Sequence, residues 1–249
     1  MKYLLTRATK KRQLDELLDL LRPMTTGHEL IRIGGGSDGG YLVPNDLDGI
    51  NQCFSPGVDF KSDFELDCAN RGMEVFMADA SVDGPAQDHP KFQFEKSYVG
   101  AFPREEIMDF SEWVARCAAP QGDLILQMDI EGYEYEVLAA LSVRLLSRFR
   151  IIVVEFHGFA RLLERSFHDL ALPLFQKLAH THVCAHAHPN NYLGTLKNHG
   201  IEIPELLEIT FHRRDRARSL APALAFPHPL DSDCCPNKPL NLPRCWYVK

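Results

Sequence analysis

Three clusters of side chains could do chemistry. Asp129-Ile130-Glu131 puts two carboxylates around one aliphatic residue directly after the apolar run Leu124-Ile125-Leu126-Gln127-Met128. Glu155-Phe156-His157 repeats the design, a carboxylate and an imidazole closing Ile151-Ile152-Val153-Val154. Asp79 likewise ends the run Glu74-Val75-Phe76-Met77-Ala78. Carboxylates and imidazole are the groups that move protons, and together they also suit a divalent ion such as magnesium, manganese or zinc. On that reading Asp129, Glu155, His157 and His188 are the candidate metal ligands. The alternative is a polar, hydrogen-bonded cleft without an ion.

Such residues need strands to carry them. Short apolar runs that stop at a charged residue read as buried strands, and ligands of open α/β sheets sit beyond the carboxyl ends of those strands. After Glu131-Gly132 the period changes, because Val137, Leu138, Leu141 and Leu145 fall on one helical face. Gln52-Cys53-Phe54 is a strand, Ser55-Pro56-Gly57-Val58 a turn, and Ser62-Asp63-Phe64-Glu65 a capping box that opens a helix ending near Gly72. With the strand ending at Asp79 this makes a βαβ unit whose acid lies 22 positions after Gly57. A glycine there lets a backbone approach a ligand, and an acid on the neighbouring strand can accept two ribose hydroxyls. Asp59 and Asp63 would repel a pyrophosphate at that helix start, so a cationic nucleoside such as S-adenosylmethionine is favoured.

The remaining chain fits the same plan. Leu14, Leu17, Leu18 and Leu21 share one face of a helix that Pro23 ends. Leu30–Ile33 and Tyr41–Val43 form a hairpin around Gly34-Gly35-Gly36-Ser37-Asp38-Gly39-Gly40. Its G-x-G-x-x-G spacing fails as a dinucleotide fingerprint, since an extended segment and not a helix follows. Phe92 and Phe94 mark an outer strand, Pro103 to Cys117 a helix, and Leu163, Phe167, Leu170, Leu174, Phe175 and Leu178 a long amphipathic helix. His180, His182, His186 and His188 alternate as one face of a strand. Of these, His180 and His182 read as plain surface residues, whereas His186 and His188 approach the strand's tip with Asn190 and Asn191. Glu205 to His212 is the last strand, and 222–249 an irregular tail rich in proline and cysteine.

Composition narrows the classes. The 249 residues carry 34 acidic and 27 basic side chains, which disfavours a nucleic-acid partner. No apolar stretch approaches the roughly 20 residues of a membrane span, and Met1-Lys2-Tyr3-Leu4-Leu5 lacks the apolar core of a secretory signal. Seven cysteines without paired C-x-x-C spacing point to a reduced, cytoplasmic protein and give no support to zinc in the tail. A single domain is expected over 1–249: a helix and hairpin extension to residue 50, a core at 51–212, and the tail.

The segment Met128-Asp129-Ile130-Glu131-Gly132-Tyr133-Glu134-Tyr135-Glu136-Val137-Leu138 resembles the aspartate-hydrophobic-glutamate-glycine-x-glutamate segment of the FkbM-type methyltransferases, a branch of the class I S-adenosylmethionine-dependent enzymes. Val154-Glu155-Phe156-His157 and His188-Pro189-Asn190-Asn191-Tyr192 are consistent with it. The resemblance implies a Rossmann-like, doubly wound α/β sheet of seven mostly parallel strands with a final antiparallel strand. It implies cofactor contacts from the Ser55 to Gly57 turn, Asp79 on the ribose, and Asp129 and Glu131 beside the amino group and the acceptor pocket. The family's first turn usually carries two glycines, a point at which Ser55-Pro56-Gly57-Val58 departs. The implied activity is O-methylation of a small hydroxylated acceptor, a sugar or natural product, with His157 as general base or a divalent ion activating the hydroxyl. Similarity to catechol-type O-methyltransferases, which hold magnesium at the ends of strands four and five, implies the ion. Two rival readings are a metal-dependent hydrolase using the same acids and histidines, and a cofactor-binding domain without turnover.

Overall fold

The computed structural model describes residues 6–36 and 38–248. The Met1-Lys2-Tyr3-Leu4-Leu5 segment weighed as a signal therefore lies outside the described residues. Helix α1 (Lys11–Leu21) buries Leu14, Leu17, Leu18 and Leu21, the face its spacing predicts. Strands β1 (Leu30–Ile33) and β2 (Tyr41–Pro44) form the antiparallel glycine-rich hairpin. There follow β3 (Ile50–Pro56), α2 (Asp63–Asn70), β4 (Glu74–Ala78), β5 (Phe92–Glu95), α3 (Phe110–Cys117), β6 (Asp123–Met128), α4 (Glu134–Ala140), β7 (Phe149–Phe156), α5 (Arg165–Thr181), β8 (His182–Pro189) and β9 (Leu207–Arg213).

Seven strands make one sheet in the order β8-β9-β7-β6-β3-β4-β5. The β5, β4, β3, β6 and β7 strands pair in parallel, and β9 runs antiparallel between β7 and β8. This is the expected Rossmann-like α/β sheet, with its topological switch point between β3 and β6. Both faces are covered. Leu126, Met128, Ile152 and Val154 pack with α1, α4 and α5 residues on one face, while Ile125, Ile151 and Val153 pack with the hairpin and α2 on the other. Burial on both sides is why these central strands read as unbroken apolar runs.

Four local expectations differ. The segment expected as helix from Pro103 forms a short ribbon, Tyr98–Gly100 with Ile107–Asp109, because Asp109 caps α3 by accepting the Glu112 N–H at 2.8 Å. The capping box at Ser62 does not form: Ser62 Oγ has no partner among the described residues, and Glu65 turns inward to Ser55. Helix α5 runs through His180 and Thr181, so β8 starts two residues late. Within β8 the register shifts between Cys184 and His186. This bulge breaks the alternation, so Cys184 and Ala187 face the helical core while His186 and His188 lie opposite Thr210 and Glu208. The four histidines therefore do not share a face.

The tail has little regular structure, as its prolines suggest, yet it is anchored. Trp246 is fully buried against Phe159 at 5.8 Å between ring centroids. All seven cysteines are free, and no helix of the described residues is long and apolar enough to cross a membrane.

Candidate active site

The carboxyl ends of β3, β4, β6 and β7 open into a cavity of about 860 Å³. Gly57, Asp79, Asp129, Glu131, Glu155 and His157 all line it. Ser55 does not; it is fully buried, its hydroxyl tied to Glu65 and, at 2.5 Å, to Gln127 Oε1. One hydroxyl proton cannot serve two acceptors, and Glu65, whose pKa burial raises to about 7, can supply the other. Gln127 also donates to Tyr41 Oη at 3.4 Å, giving the cavity a polar floor.

The turn after β3 explains Gly57. Its φ is +82°, and a Cβ there would lie 1.5 Å from the Asp129 carbonyl oxygen. The glycine is thus required by the crossing of the β3 and β6 ends, a reason local spacing did not reveal. Asp79 closes the same turn. Its Oδ2 accepts from the Val58 and Asp59 amides at 3.0 Å each, and its Oδ1 from the Ser81 amide and hydroxyl at 2.7 Å each. Burial pushes its pKa up, but these donors outweigh it and leave the pKa below the ordinary carboxylate value. All four acceptor directions are engaged, so a ribose would have to share them.

The turn after β6 is built by Glu134, a residue that sequence reading treated only as part of the motif. Glu134 is fully buried, and its Oε1 accepts from the Ile130 and Gly132 amides at 3.1 and 3.0 Å. Pinning the amides on either side forces Glu131 between them to φ +55°, a left-handed conformation rare for a side chain of its size. Its exposed carboxylate then hangs 3.4 Å from His157 Nε2. The same Glu134 oxygen takes His157 Nδ1 at 3.1 Å, which turns Nε2 toward Asp129 Oδ1 at 3.8 Å. Burial opposes charge on His157, but the Glu134 bond and the charges of Asp129, Glu134 and Glu131 prevail and raise its pKa to about 9. Asp129 is pushed well above its ordinary value by burial and by the charge of Glu155.

Two of the expected ligands stand apart. Glu155 lines the cavity but bonds Asn190 Nδ2 at 2.9 Å, and it is not in the group formed by Asp129, Glu134 and His157, whose ligand-capable atoms lie within 4.8 Å of one another. His188 is taken by Asp231 of the tail, 3.5 Å away, and does not line the cavity. The expected four-ligand set is therefore not assembled. A second compact group, His28, Asp46 and His212, is occupied otherwise: Arg216 holds Asp46 at 2.7 and 2.9 Å, and guanidinium charge leaves no place for a cation.

Residues 119–182 match the family profile described as Methyltransferase FkbM domain. That match spans 64 of the 249 residues. The matched stretch holds β6, β7 and α5, and with them Asp129, Glu131, Glu134, Glu155 and His157. Gly57, Asp79 and the tail lie outside it. No curated protein matches significantly. Among solved structures the chain is similar to a candidate RNA methyltransferase from Pyrococcus horikoshii, 12% identical with a TM-score of 0.36, over 82% of this chain and 99% of that one. It is also similar to TrmN from Thermus thermophilus (11%, 0.31, covering 66% and 44%) and to spermidine synthase from Thermotoga maritima (12%, 0.32, covering 74% and 72%). At such scores these likenesses assign neither substrate nor site. Tyr41 and Tyr98 also border the cavity, though nothing in the sequence set them apart for it.

Proposed function

We propose that this chain transfers the methyl group of S-adenosylmethionine to a hydroxyl of a small acceptor. The observation that carries this reading is the pairing of Asp129 with the Glu134-held His157 at the ends of the two parallel strands next to the switch point, over a cavity that Asp79 bounds on its far side. The cofactor would lie across the β3 and β4 ends, its sugar on the Asp79 turn and its methionine toward Asp129. The acceptor oxygen attacks the methyl carbon, the carbon–sulfur bond breaks, and S-adenosylhomocysteine leaves. The acceptor proton must go to the protein. The receiving unit is the Asp129–His157 pair, whose two groups face each other at 3.8 Å and titrate together.

A divalent ion fits part of this site. His157 Nε2, Asp129 and Glu131 converge, and a carboxylate on the far ring nitrogen, as Glu134 provides, is the usual support of a ligating histidine. Bound there, an ion would lower the pKa of the acceptor hydroxyl. The hydrolase alternative loses ground, since Glu155 and His188 do not join that group.

The reading is checked by calorimetry and melting with S-adenosylmethionine, with and without a chelator. Ligand at 100 times its dissociation constant should add about 2.7 kcal/mol of stability. Asp79→Asn should weaken that binding at least about tenfold, because an amide cannot accept all the bonds its carboxylate does. No binding by the parent chain would end the proposal.

A further inference from the structure

Beyond Asp129 the cavity continues between Glu155, Asn190, Tyr192, Leu193 and the tail's Cys234. Glu155 is only 4% exposed, and although Oε1 accepts from Asn190, its Oε2 has no hydrogen-bond partner among the described residues. The Asn190 oxygen accepts from the Tyr192 amide and the Cys234 thiol, which fixes the amide with its Nδ2 on Oε1. The neighbouring cations are engaged with other acids. Across the β7–β9 ladder Glu155 faces Glu208, Arg32 acts on Glu208, Lys61 sits 3.6 Å from Asp38, and His157 is held by Glu134.

A buried carboxylate in the wall of a cavity, with one oxygen lacking a partner, is a costly feature for a fold to keep. We propose that this half of the cavity binds a protonated amine, with Glu155 as its anchor. Identifying that ligand with the acceptor rests on the methyltransferase reading above; the acceptor is then a molecule bearing both an amine and the hydroxyl to be methylated, an amino sugar or amino alcohol. An anionic acceptor meets repulsion from Asp129, Glu131 and Glu155, and a neutral one leaves Oε2 without its counter-charge.

The test uses the full chain saturated with S-adenosylhomocysteine. Glucosamine, ethanolamine and tyramine are titrated by calorimetry, each beside its N-acetyl form, against the parent and Glu155→Gln. At least one amine should bind about tenfold or more tighter than its acetylated partner, and Glu155→Gln should erase the difference. The variant's melting curve and its affinity for S-adenosylhomocysteine serve as the folding control. Equal binding of amine and amide, no binding of any amine, or a preference that survives in Glu155→Gln overturns the proposal. If S-adenosylhomocysteine does not bind while the amine preference stands and requires Glu155, the methyltransferase reading fails and the amine site remains.

Discussion

His157 Nδ1 lies 3.1 Å from Oε1 of Glu134, a carboxylate with no exposure to solvent that also holds the two amides flanking Glu131. One buried oxygen therefore sets the tautomer of the imidazole and the shape of the turn facing it. Removing that side chain altogether would disturb proton chemistry and loop geometry at once.

Glu134→Gln separates charge from shape, because an amide oxygen still accepts those bonds. The His157 pKa should fall from about 9 toward its ordinary value. If the imidazole takes the acceptor proton, the rising limb of the pH–rate profile should move to lower pH by more than one unit, while His157→Ala should lower turnover roughly a hundredfold at constant cofactor affinity. The stability linkage has a definite sign. A pKa raised on folding adds stability that is complete below about 6.5 and is lost as pH rises through 9, so the parent's advantage over His157→Ala in urea should shrink across that window. A rate profile unmoved by Glu134→Gln removes His157 from the proton path.

Gly57→Ala tests the backbone crossing. With a Cβ placed 1.5 Å from the Asp129 oxygen and φ at +82°, the β3 and β6 ends must separate. A loss of about 3 kcal/mol or more is expected in chemical denaturation. Gly132→Ala is the control, since its φ is also positive but nothing lies within 4 Å of the added carbon. It should cost only about 1–2 kcal/mol. Equal losses would mean that conformation, and not the approach of Asp129, dictates Gly57.

These residues also show what the sequence could disclose. The strands carrying Asp79, Asp129 and Glu155 were legible because burial on both faces writes itself as continuous apolar runs ending in charge. The acids' placement at one edge followed from topology. What stayed hidden was long-range pairing. Glu134 resembled a first-turn helix acid, and only the return of β7 beside β6 shows it under His157. Ser55 and Glu65 looked like turn and cap residues but meet each other inside. The bulge in β8 reversed His186 and His188, and no local residue type marks that shift. Asp231, which captures both rings, comes from a tail whose irregular sequence carries no period from which docking could be read.

The far end of the sheet supplies a control for stability without activity. Asp46 is 7% exposed and meets Arg216 at 2.7 Å, Arg150 at 3.6 Å and His212 at 3.2 Å. Burial raises its pKa, but these partners overcome it and bring the value down to about 2. Replacing it with alanine takes a buried carboxylate from Arg216 and His212, while Arg150 keeps Asp123 at 2.7 Å, and should cost about 1–3 kcal/mol. Because the folded pKa is depressed, the contribution is present above about pH 4 and disappears as pH falls through 2. The parent and Asp46→Ala curves should therefore converge in acid and stay parallel from pH 5 to 8. Affinity for S-adenosylhomocysteine, measured below the variant's melting temperature, should not change, since Asp46 does not border the cavity.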